Sequence, residues 1–377
     1  MSTHLEGKVL TPQGFVNGRI EFDDAGRIAR IEGTPIDVRK VRDSAAPIVL
    51  PGFIDLHVHG GGGHDIMEGG DSAARVSELH ARHGTTALLA TTMTAPMADL
   101  EIAFAGLKSV CASRSPKGAR VLGVHLEGPY INGGKLGAQP NFARPVQTAE
   151  LARLNELAPI RLITLAPEIA GNMDLIESLC AAGFRVQLGH TLGSYEDGVE
   201  ALKRGAGGFT HLFNAMSGLH HREPGMVGAA LAHAKYSEII PDLLHAHKGA
   251  IRVALRAIPH LYCVTDSTAA AGMPDGDYRL GRHKVTKCLG GVRLADGTLA
   301  GSTLTMDQAL RNLVNELDMD LIDASRRVST HAADYLGASD RGRLSAGAWA
   351  DAVVLDRDLT VSDVYVEGSS IELAHAG

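Results

Sequence analysis

Between residues 51 and 266, short apolar runs alternate with segments of helical spacing, and this alternation limits the fold more than any other feature of the chain. The runs 85–92 and 185–188 have the character of buried strands, whereas 73–83 is spaced as a helix and precedes Gly84, a residue suited to ending one. Strands that alternate with helices build parallel sheets. About eight such units over roughly 280 residues predict a (β/α)₈ TIM-type barrel.

A doubly wound open sheet is the competing architecture for the same alternation. In that fold a G-x-G-x-x-G loop follows the first strand and binds phosphate groups. Here Gly60 to Gly63 follow the first strand but lead into His64 and Asp65, so the motif is missing. The barrel is therefore the better prediction.

Both ends of the chain carry β patterns instead. Closely spaced turn signals divide residues 1–50 into short segments in which apolar and polar residues alternate, and these strands are too few to form a core alone. Residues 342–368 show the same pattern. We therefore predict a small β-sandwich domain formed by residues 1–48 and 340–377 around a barrel at 49–339. The glycine-rich stretch 278–299 predicts hairpins inserted after the last barrel strand, with helices following at 306–317 and 321–336.

Composition excludes several classes of protein. The net charge is −7 and basic residues form no block, which argues against a nucleic-acid partner. No stretch approaches the roughly 20 apolar residues of a membrane span. The four cysteines lie far apart without a C-x-x-C pair, which favours a reducing compartment over a disulfide framework. We therefore expect a cytoplasmic protein.

His57 and His59 stand at the end of the predicted strand 53–57, directly before four glycines. Residues i and i+2 of a strand face the same side, so the two imidazoles can share one metal ion while the glycines let the loop bend beside it. The alternative is two unrelated histidines in a strand that needed a turn. Similar residues at later strand ends favour the metal.

Ligand-type residues follow one predicted barrel strand after another. The C-terminal ends of barrel strands form the active site of this fold. Nitrogen and carboxylate ligands without cysteine suit a divalent ion, zinc first and iron as the alternative. Such an ion lowers the pKa of bound water to about 7 and polarises a carbonyl. The candidates are His57, His59, Glu127, His190, His211 and Asp266.

Asp266 is the natural general base in this set. It could take a proton from water and pass it to a leaving amine, which is hydrolysis at a carbonyl or amidine carbon. Its alternative reading is a helix N-cap, because Ser267, Thr268 and Ala269 follow it. Just beyond His211, Asn214 in the 210–216 stretch offers an amide side chain to a substrate. Arg222, in a loop bounded by glycine and proline, is a candidate phosphate or carboxylate clamp or a solvated surface charge.

Several motifs resemble the N-acetylglucosamine-6-phosphate deacetylase family of the amidohydrolase superfamily, from about residue 45 to the tail. His-Leu-Glu-Gly-Pro, Asn-Ala-Met and Arg-Glu-Pro-Gly are specific to this family, whereas His-x-His indicates only the superfamily. No lysine stands at a strand end, and Glu127 takes the place of the superfamily's carboxylated lysine, which argues against a dihydroorotase or a urease-like enzyme. The segments that carry the resemblance are 51–60, 125–129, 188–191, 210–216, 222–225, 264–266 and 299–302.

This resemblance implies a barrel with a split β-sandwich domain, a homodimer, and an amino-sugar phosphate as substrate. It implies one metal ion held by Glu127, His190 and His211, leaves a second ion at His57 and His59 open, and makes Asp266 the catalytic acid and base. Arg222 would bind the sugar phosphate, partly across the dimer interface. The substrate contacts it implies are Ala138, Gln139, Asn214, Ala215, Arg222, Asp242, His245, Leu299, Ala300 and Gly301.

The expected reaction is removal of acetate from N-acetyl-D-glucosamine 6-phosphate. Gln139 stands where relatives usually carry histidine, so N-acetylgalactosamine 6-phosphate stays an alternative substrate. A heterocycle deaminase is a second alternative, and it would not depend on a substrate phosphate. A non-enzymatic scaffold is the third, although a scaffold would be expected to have lost some of the ligand residues.

Overall fold

Eight parallel strands form the centre of the computed structural model, which describes residues 4–373; the predicted domain ends at 1–3 and 374–377 lie outside the described residues. The first six strands make one sheet in chain order, and the last two pair with each other. Leu212 donates a backbone hydrogen bond to Glu238, and Asp266 donates one to His57. These bonds bridge the two sheets and confirm a TIM-like barrel. The strands are Phe53–Val58, Thr85–Thr92, Arg120–Glu127, Ile160–Leu165, Arg185–Leu188, Gly208–Phe209, Tyr236–Ile239 and His260–Cys263.

The barrel strands are buried because helices cover their outer side. Thr85–Thr92 is buried at every position, which explains why its sequence is a continuous apolar and β-branched run rather than an alternation. Helix Lys248–Ala257 turns Ile251 and Ala254 inward, while Lys248 and Arg256 are exposed. No helix in residues 4–373 is long and apolar enough to cross a membrane. The α-helices are Ser72–Arg82, Met97–Ala112, Thr148–Leu157, Asn172–Ala181, Tyr195–Lys203, Gly225–His233, Lys248–Ala257, Met306–Asn315, Leu321–Val328 and Thr330–Leu336.

Some sequence-based boundaries were wrong. Helix Gly225–His233 was not predicted, because it is rich in glycine and alanine and is largely buried, which removes the helical alternation of polarity. The single helix predicted over 321–336 breaks at Ser329, whose φ of −144° is not helical. The seventh barrel strand, Tyr236–Ile239, ends shortly before Pro241, which has no N–H to offer a neighbouring strand.

A seven-stranded sheet joins the two ends of the chain. Its middle strand, Ile48–Pro51, runs parallel to His4–Thr11 and antiparallel to Ala352–Leu355, and it leads directly into the first barrel strand. The sheet has an apolar cluster of its own, which includes Ile20 and Val354. A division of this sheet into a separate β-sandwich stays a prediction. Its other strands are Gly14–Phe22, Ile28–Pro35, Val361–Val366 and Ser369–Ile371.

Two smaller sheets lie beyond the strand ends of the barrel. The predicted hairpins form an antiparallel sheet of Gly276–Leu280, His283–Cys288 and Gly291–Arg293. The glycine loop forms a second pair, Gly60–Gly61 with His64–Asp65. A Cβ on Gly60 would lie 2.5 Å from the carbonyl oxygen of His64, so only glycine lets the chain turn this tightly after His59.

Candidate metal centre

His57 and His59 project together from the end of the first barrel strand. Their Nε2 atoms are 3.1 Å apart, and both rings are buried. Glu127 Oε2 lies 3.5 Å from His57 Nε2 and 3.2 Å from His59 Nε2. Asp266 Oδ1 lies 3.4 Å and 3.3 Å from the same two atoms. Two imidazoles and two carboxylates therefore converge on one point.

His190 and His211 meet the other oxygen of the same glutamate. Glu127 Oε1 lies 3.0 Å from His190 Nε2 and 3.1 Å from His211 Nε2, and the two ring nitrogens are 3.1 Å apart. Each of the two sets is a potential metal-binding group of buried ligands. Glu127 thus directs one oxygen to each pair of histidines and joins the two sets.

Both sets have the spacing of a metal site. Ligand atoms at 2.0–2.1 Å from a tetrahedral zinc ion stand about 3.3 Å from one another. The distances within each set, 3.0–3.1 Å around His190 and 3.1–3.5 Å around His57, match that value. The residues present therefore fit one divalent ion in each set without rearrangement of the backbone.

The electrostatics of the site also favour a cation. Burial would lower the pKa of His59, but Asp266 and Glu127 outweigh it and raise that pKa to about 9. Burial opposes ionisation of Glu127, yet the imidazoles of His57, His190 and His211 hold its pKa well below the usual range. A field that stabilises positive charge on these ring nitrogens stabilises a metal ion at the same place.

Three of these residues have a left-handed backbone. The φ angles are 48° at His190, 30° at His211 and 50° at Asp266, a region that side chains other than glycine seldom enter. Each residue follows the end of a barrel strand, and the turn points its side chain across the barrel mouth. No helix begins directly after Asp266, so the structure does not support the N-cap interpretation of this residue.

Hydrogen bonds behind the ligands fix several of the rings. His190 Nδ1 lies 2.8 Å from the carbonyl oxygen of Lys135, and His57 Nδ1 lies 3.0 Å from Glu238 Oε2. Sequence reasoning did not select Glu238. The available signal was a single charged residue inside the buried strand Tyr236–Ile239.

Asp55 connects the first barrel strand to the strand end that carries Asp266. Its Oδ2 accepts a hydrogen bond of 2.6 Å from the Thr265 hydroxyl. Burial raises the pKa of Asp55 to about 7, although the bonds from Thr265 oppose the rise. This link holds His57 and His59, which follow Asp55, in register with Asp266, which follows Thr265.

A cavity of about 380 Å³ opens above the ligands. Most of the predicted substrate contacts line it, together with His59, Glu127, His190, His211 and Asp266. The predicted contacts that line it are Ala138, Gln139, Asn214, Ala215, His245, Leu299 and Gly301.

Three predicted contact residues lie elsewhere. Asp242 stands behind His245 and its Oδ2 is 2.7 Å from His245 Nδ1, while Ala300 is buried in an apolar cluster beside the cavity. Arg222 is exposed and lines a different depression, together with Tyr195 and Glu223. Within one chain, the structure therefore does not bring Arg222 to the metal ligands.

Known proteins share the sequence of this chain over most of its length. Residues 48–371 match the model of the amidohydrolase family. The chain is 38% identical to an N-acetylgalactosamine-6-phosphate deacetylase of Escherichia coli O157:H7, over 96% of this chain and 97% of that protein. It is also 38% identical to an N-acetylglucosamine-6-phosphate deacetylase of Vibrio furnissii, over 93% and 89% of the two chains.

A solved structure extends the similarity to three dimensions. A mutant N-acetyl-D-glucosamine-6-phosphate deacetylase of Mycobacterium smegmatis, in complex with N-acetyl-D-glucosamine-6-phosphate, superposes with a TM-score of 0.89 at 32% identity. The match covers 98% of this chain and all of that one (100%). The family predicted from the motifs is confirmed, and the chain belongs to the N-acetylglucosamine-6-phosphate deacetylases of the amidohydrolase family.

Proposed function

We propose that this protein hydrolyses N-acetyl-D-glucosamine 6-phosphate to D-glucosamine 6-phosphate and acetate, as a step of amino-sugar breakdown. One observation carries the proposal: a buried carboxylate, Asp266, stands beside His57 and His59 at the floor of a cavity that two His–Glu ligand sets line. The names of the relatives and the sugar phosphate bound to the Mycobacterium smegmatis enzyme support the choice of substrate.

The protein supplies two places for a divalent ion, which we take to be zinc or iron. Glu127, His190 and His211 would hold the first. His57, His59, Glu127 and Asp266 would hold a second, because their spacing is equivalent. When bound, such an ion lowers the pKa of water and polarises a carbonyl group. Imidazole and carboxylate ligands without cysteine suit either metal.

Asp266 performs the proton transfers in this proposal. Burial would raise its pKa, but His57 and His59 lower it below the usual value, so the carboxylate is ionised and can accept a proton from the attacking water. The same carboxyl group then gives the proton to the leaving amine. Its position on the cavity floor lets it reach both the water and the amide nitrogen.

The remaining predicted contacts would bind the sugar. His245, held by Asp242, and the loops around Asn214 and Leu299 line the cavity above Asp266. We propose that Arg222 reaches the phosphate from the second subunit of a homodimer, since within its own chain it lies outside the cavity.

The organisation of the chain follows the same proposal. Residues 1–48 and 340–377 would form a small β domain around the barrel at 49–339. The enzyme would act in the cytoplasm, which suits its four free cysteines.

N-acetylgalactosamine 6-phosphate is a second candidate substrate. The Escherichia coli relative that carries that name is as similar to this chain as the Vibrio furnissii enzyme. The two sugars differ only in the configuration of one hydroxyl, and a difference of that size is decided by one or two cavity contacts.

Acetate release measured on four compounds tests both candidates. These are the two N-acetylhexosamine 6-phosphates and their unphosphorylated forms. We expect turnover of at least one phosphorylated sugar and a large loss of kcat/KM without the phosphate. Equal turnover with and without phosphate, or no acetate release from any of the four by metal-loaded protein, would contradict the proposal.

A further inference from the structure

We propose that Glu238 is a positioning residue that orients His57 for the ion and ties the two ligand sets together. The inference rests on the proposed metal-dependent function and goes beyond it. Glu238 projects into the barrel interior below the ligands, is completely buried, and lines no part of the cavity above Asp266. It therefore acts on the site through other residues.

The hydrogen bonds of Glu238 reach one member of each set. Its Oε2 lies 3.0 Å from His57 Nδ1 and accepts a bond of 3.2 Å from the backbone N–H of His211. A carboxylate at Nδ1 keeps the proton of a neutral imidazole on that nitrogen, so the lone pair of His57 Nε2 faces His59, Glu127 and Asp266. The second bond holds the strained backbone of His211, which belongs to the other set.

The buried charge of Glu238 also favours a cation on the far side of His57. Its ion-pair partner among residues 4–373 is His57, and Oε1 also accepts a hydrogen bond of 3.4 Å from the Tyr262 hydroxyl. A buried carboxylate whose partner is a neutral imidazole is costly. A divalent ion at His57 Nε2 would offset that cost through the polarised imidazole.

Direct metal binding by Glu238 is the competing interpretation, since His57, His125 and Glu238 are close enough to hold an ion. The bonds of His125 argue against it. Its Nδ1 lies 3.0 Å from the carbonyl oxygen of Leu56, and its Nε2 lies 2.7 Å from the Thr164 hydroxyl. Both ring nitrogens are thus occupied by the protein, and Glu238 is left with an orienting role.

Glu238→Gln tests this role, because the substitution keeps the shape of the side chain and removes its charge. Metal content and affinity are measured by elemental analysis after dialysis against a graded series of chelator. We expect wild-type protein to hold two ions per chain. In the variant, affinity for one of the two should fall about 10–100-fold, the usual effect of losing a partner behind a metal ligand. Excess zinc should restore the missing ion.

Tyr262→Phe is the matched control. It removes a hydroxyl from the same buried layer, with its bond of 2.5 Å from Gln187 and its long bond of 3.4 Å to Glu238 Oε1, and leaves the contact between His57 and Glu238 Oε2 in place. We expect a lower melting temperature and unchanged metal affinity. If Glu238→Gln does not fold, Glu238→Asp takes its place. The shorter side chain moves the carboxylate away from His57, and the same loss of metal affinity is expected.

The outcomes separate this inference from the proposed function. Unchanged metal content and affinity in the Glu238 variant, or an equal loss in Tyr262→Phe, would overturn the role of Glu238 and leave the deacetylase in place. A wild-type protein that holds only one ion, unaffected by Glu238→Gln, would do the same. Wild-type protein with neither bound metal nor turnover would instead overturn the proposed function.

Discussion

Gln139 donates a hydrogen bond from Nε2 to Glu127 Oε2, at 2.5 Å. The other end of the same amide, Oε1, accepts a bond of 2.7 Å from the backbone N–H of Thr94, so the orientation of the amide is fixed. The oxygen it contacts is the one that faces His57 and His59. Gln139 thus steadies the carboxylate shared by both ligand sets.

Replacing this amide by a second carboxylate should disable the site. In Gln139→Glu two negative groups would meet at hydrogen-bond distance, and we expect kcat/KM for the preferred sugar phosphate to fall at least about 100-fold. Gln139→His is the matched variant, because an imidazole N–H can still donate to Glu127. It should retain more activity. Wild-type kcat/KM in Gln139→Glu would show that the contact has no role.

Asp266→Asn should abolish turnover while the protein stays folded. Asparagine tolerates the left-handed φ of 50° at this position but cannot accept the proton, so kcat should fall about 10²–10⁴-fold. The ion at His190 and His211 should remain, since Glu127 is untouched. Elemental analysis and steady-state kinetics check both points. Asp275→Asn, at an exposed site outside the cavity, is the control, and near-wild-type kcat in Asp266→Asn would refute the assigned mechanism.

Mixed dimers reveal whether Arg222 acts across the subunit interface. Alone, Arg222→Ala should raise KM for the phosphorylated sugar about 10–100-fold, the value of a hydrogen bond to a charged group. In a dimer of an Arg222→Ala chain with an Asp266→Asn chain, one site would regain both wild-type residues. A randomly reassembled mixture should recover about a quarter of wild-type activity, because half of its dimers are mixed and each has one intact site. No recovery would place Arg222 in its own subunit's site or outside the reaction.

Glu367 should make the stability of the protein depend on pH. It lies between Arg120, with contacts of 2.7 and 2.8 Å, and Arg341, and so joins the end sheet to the third barrel strand. Burial would raise the pKa of Glu367, but the bonds from these arginines lower it from 4.5 to about 2. The stabilisation is therefore complete above pH 4.5 and is lost as the pH falls towards 2.

Glu367→Gln measures this contribution. At pH 7 we expect the variant to lose about 2 kcal/mol in the free energy of unfolding, followed by chemical denaturation. The difference from wild type should shrink below pH 4.5. Glu372→Gln is the control, since the pair of Glu372 with Lys117 is exposed and should change stability by less than about 0.5 kcal/mol. A difference between Glu367→Gln and wild type that does not change with pH would contradict the assignment.

The convergence of the candidate ligands was predictable from the sequence because it follows from their positions at the ends of strands. The period of two in a strand places His57 beside His59, and barrel topology brings the C-terminal ends of all strands to one face, so Glu127, His190 and Asp266 had to approach them. These are consequences of position along a strand, which a sequence displays directly.

Contacts between distant strands were not predictable in the same way. Glu238 reaches His57 across the barrel interior, and no spacing rule states which strands face each other at a given height. Helix Gly225–His233 was missed because burial removes the polarity pattern that reveals a helix. The break between two helices at Ser329 was not predictable because no glycine or proline marks it. The Ser329 hydroxyl donates a hydrogen bond to the carbonyl oxygen of Ser325.

The left-handed backbone at His190, His211 and Asp266 has a consequence for directed evolution. Each of these conformations costs on the order of 1–3 kcal/mol, and glycine would remove most of that cost. Selection for heat resistance alone would therefore reward the loss of the side chains that we propose bind the ions and move the proton. A library of this enzyme should be screened for acetate release in every round, because at these three positions substitutions that raise stability are expected to abolish activity.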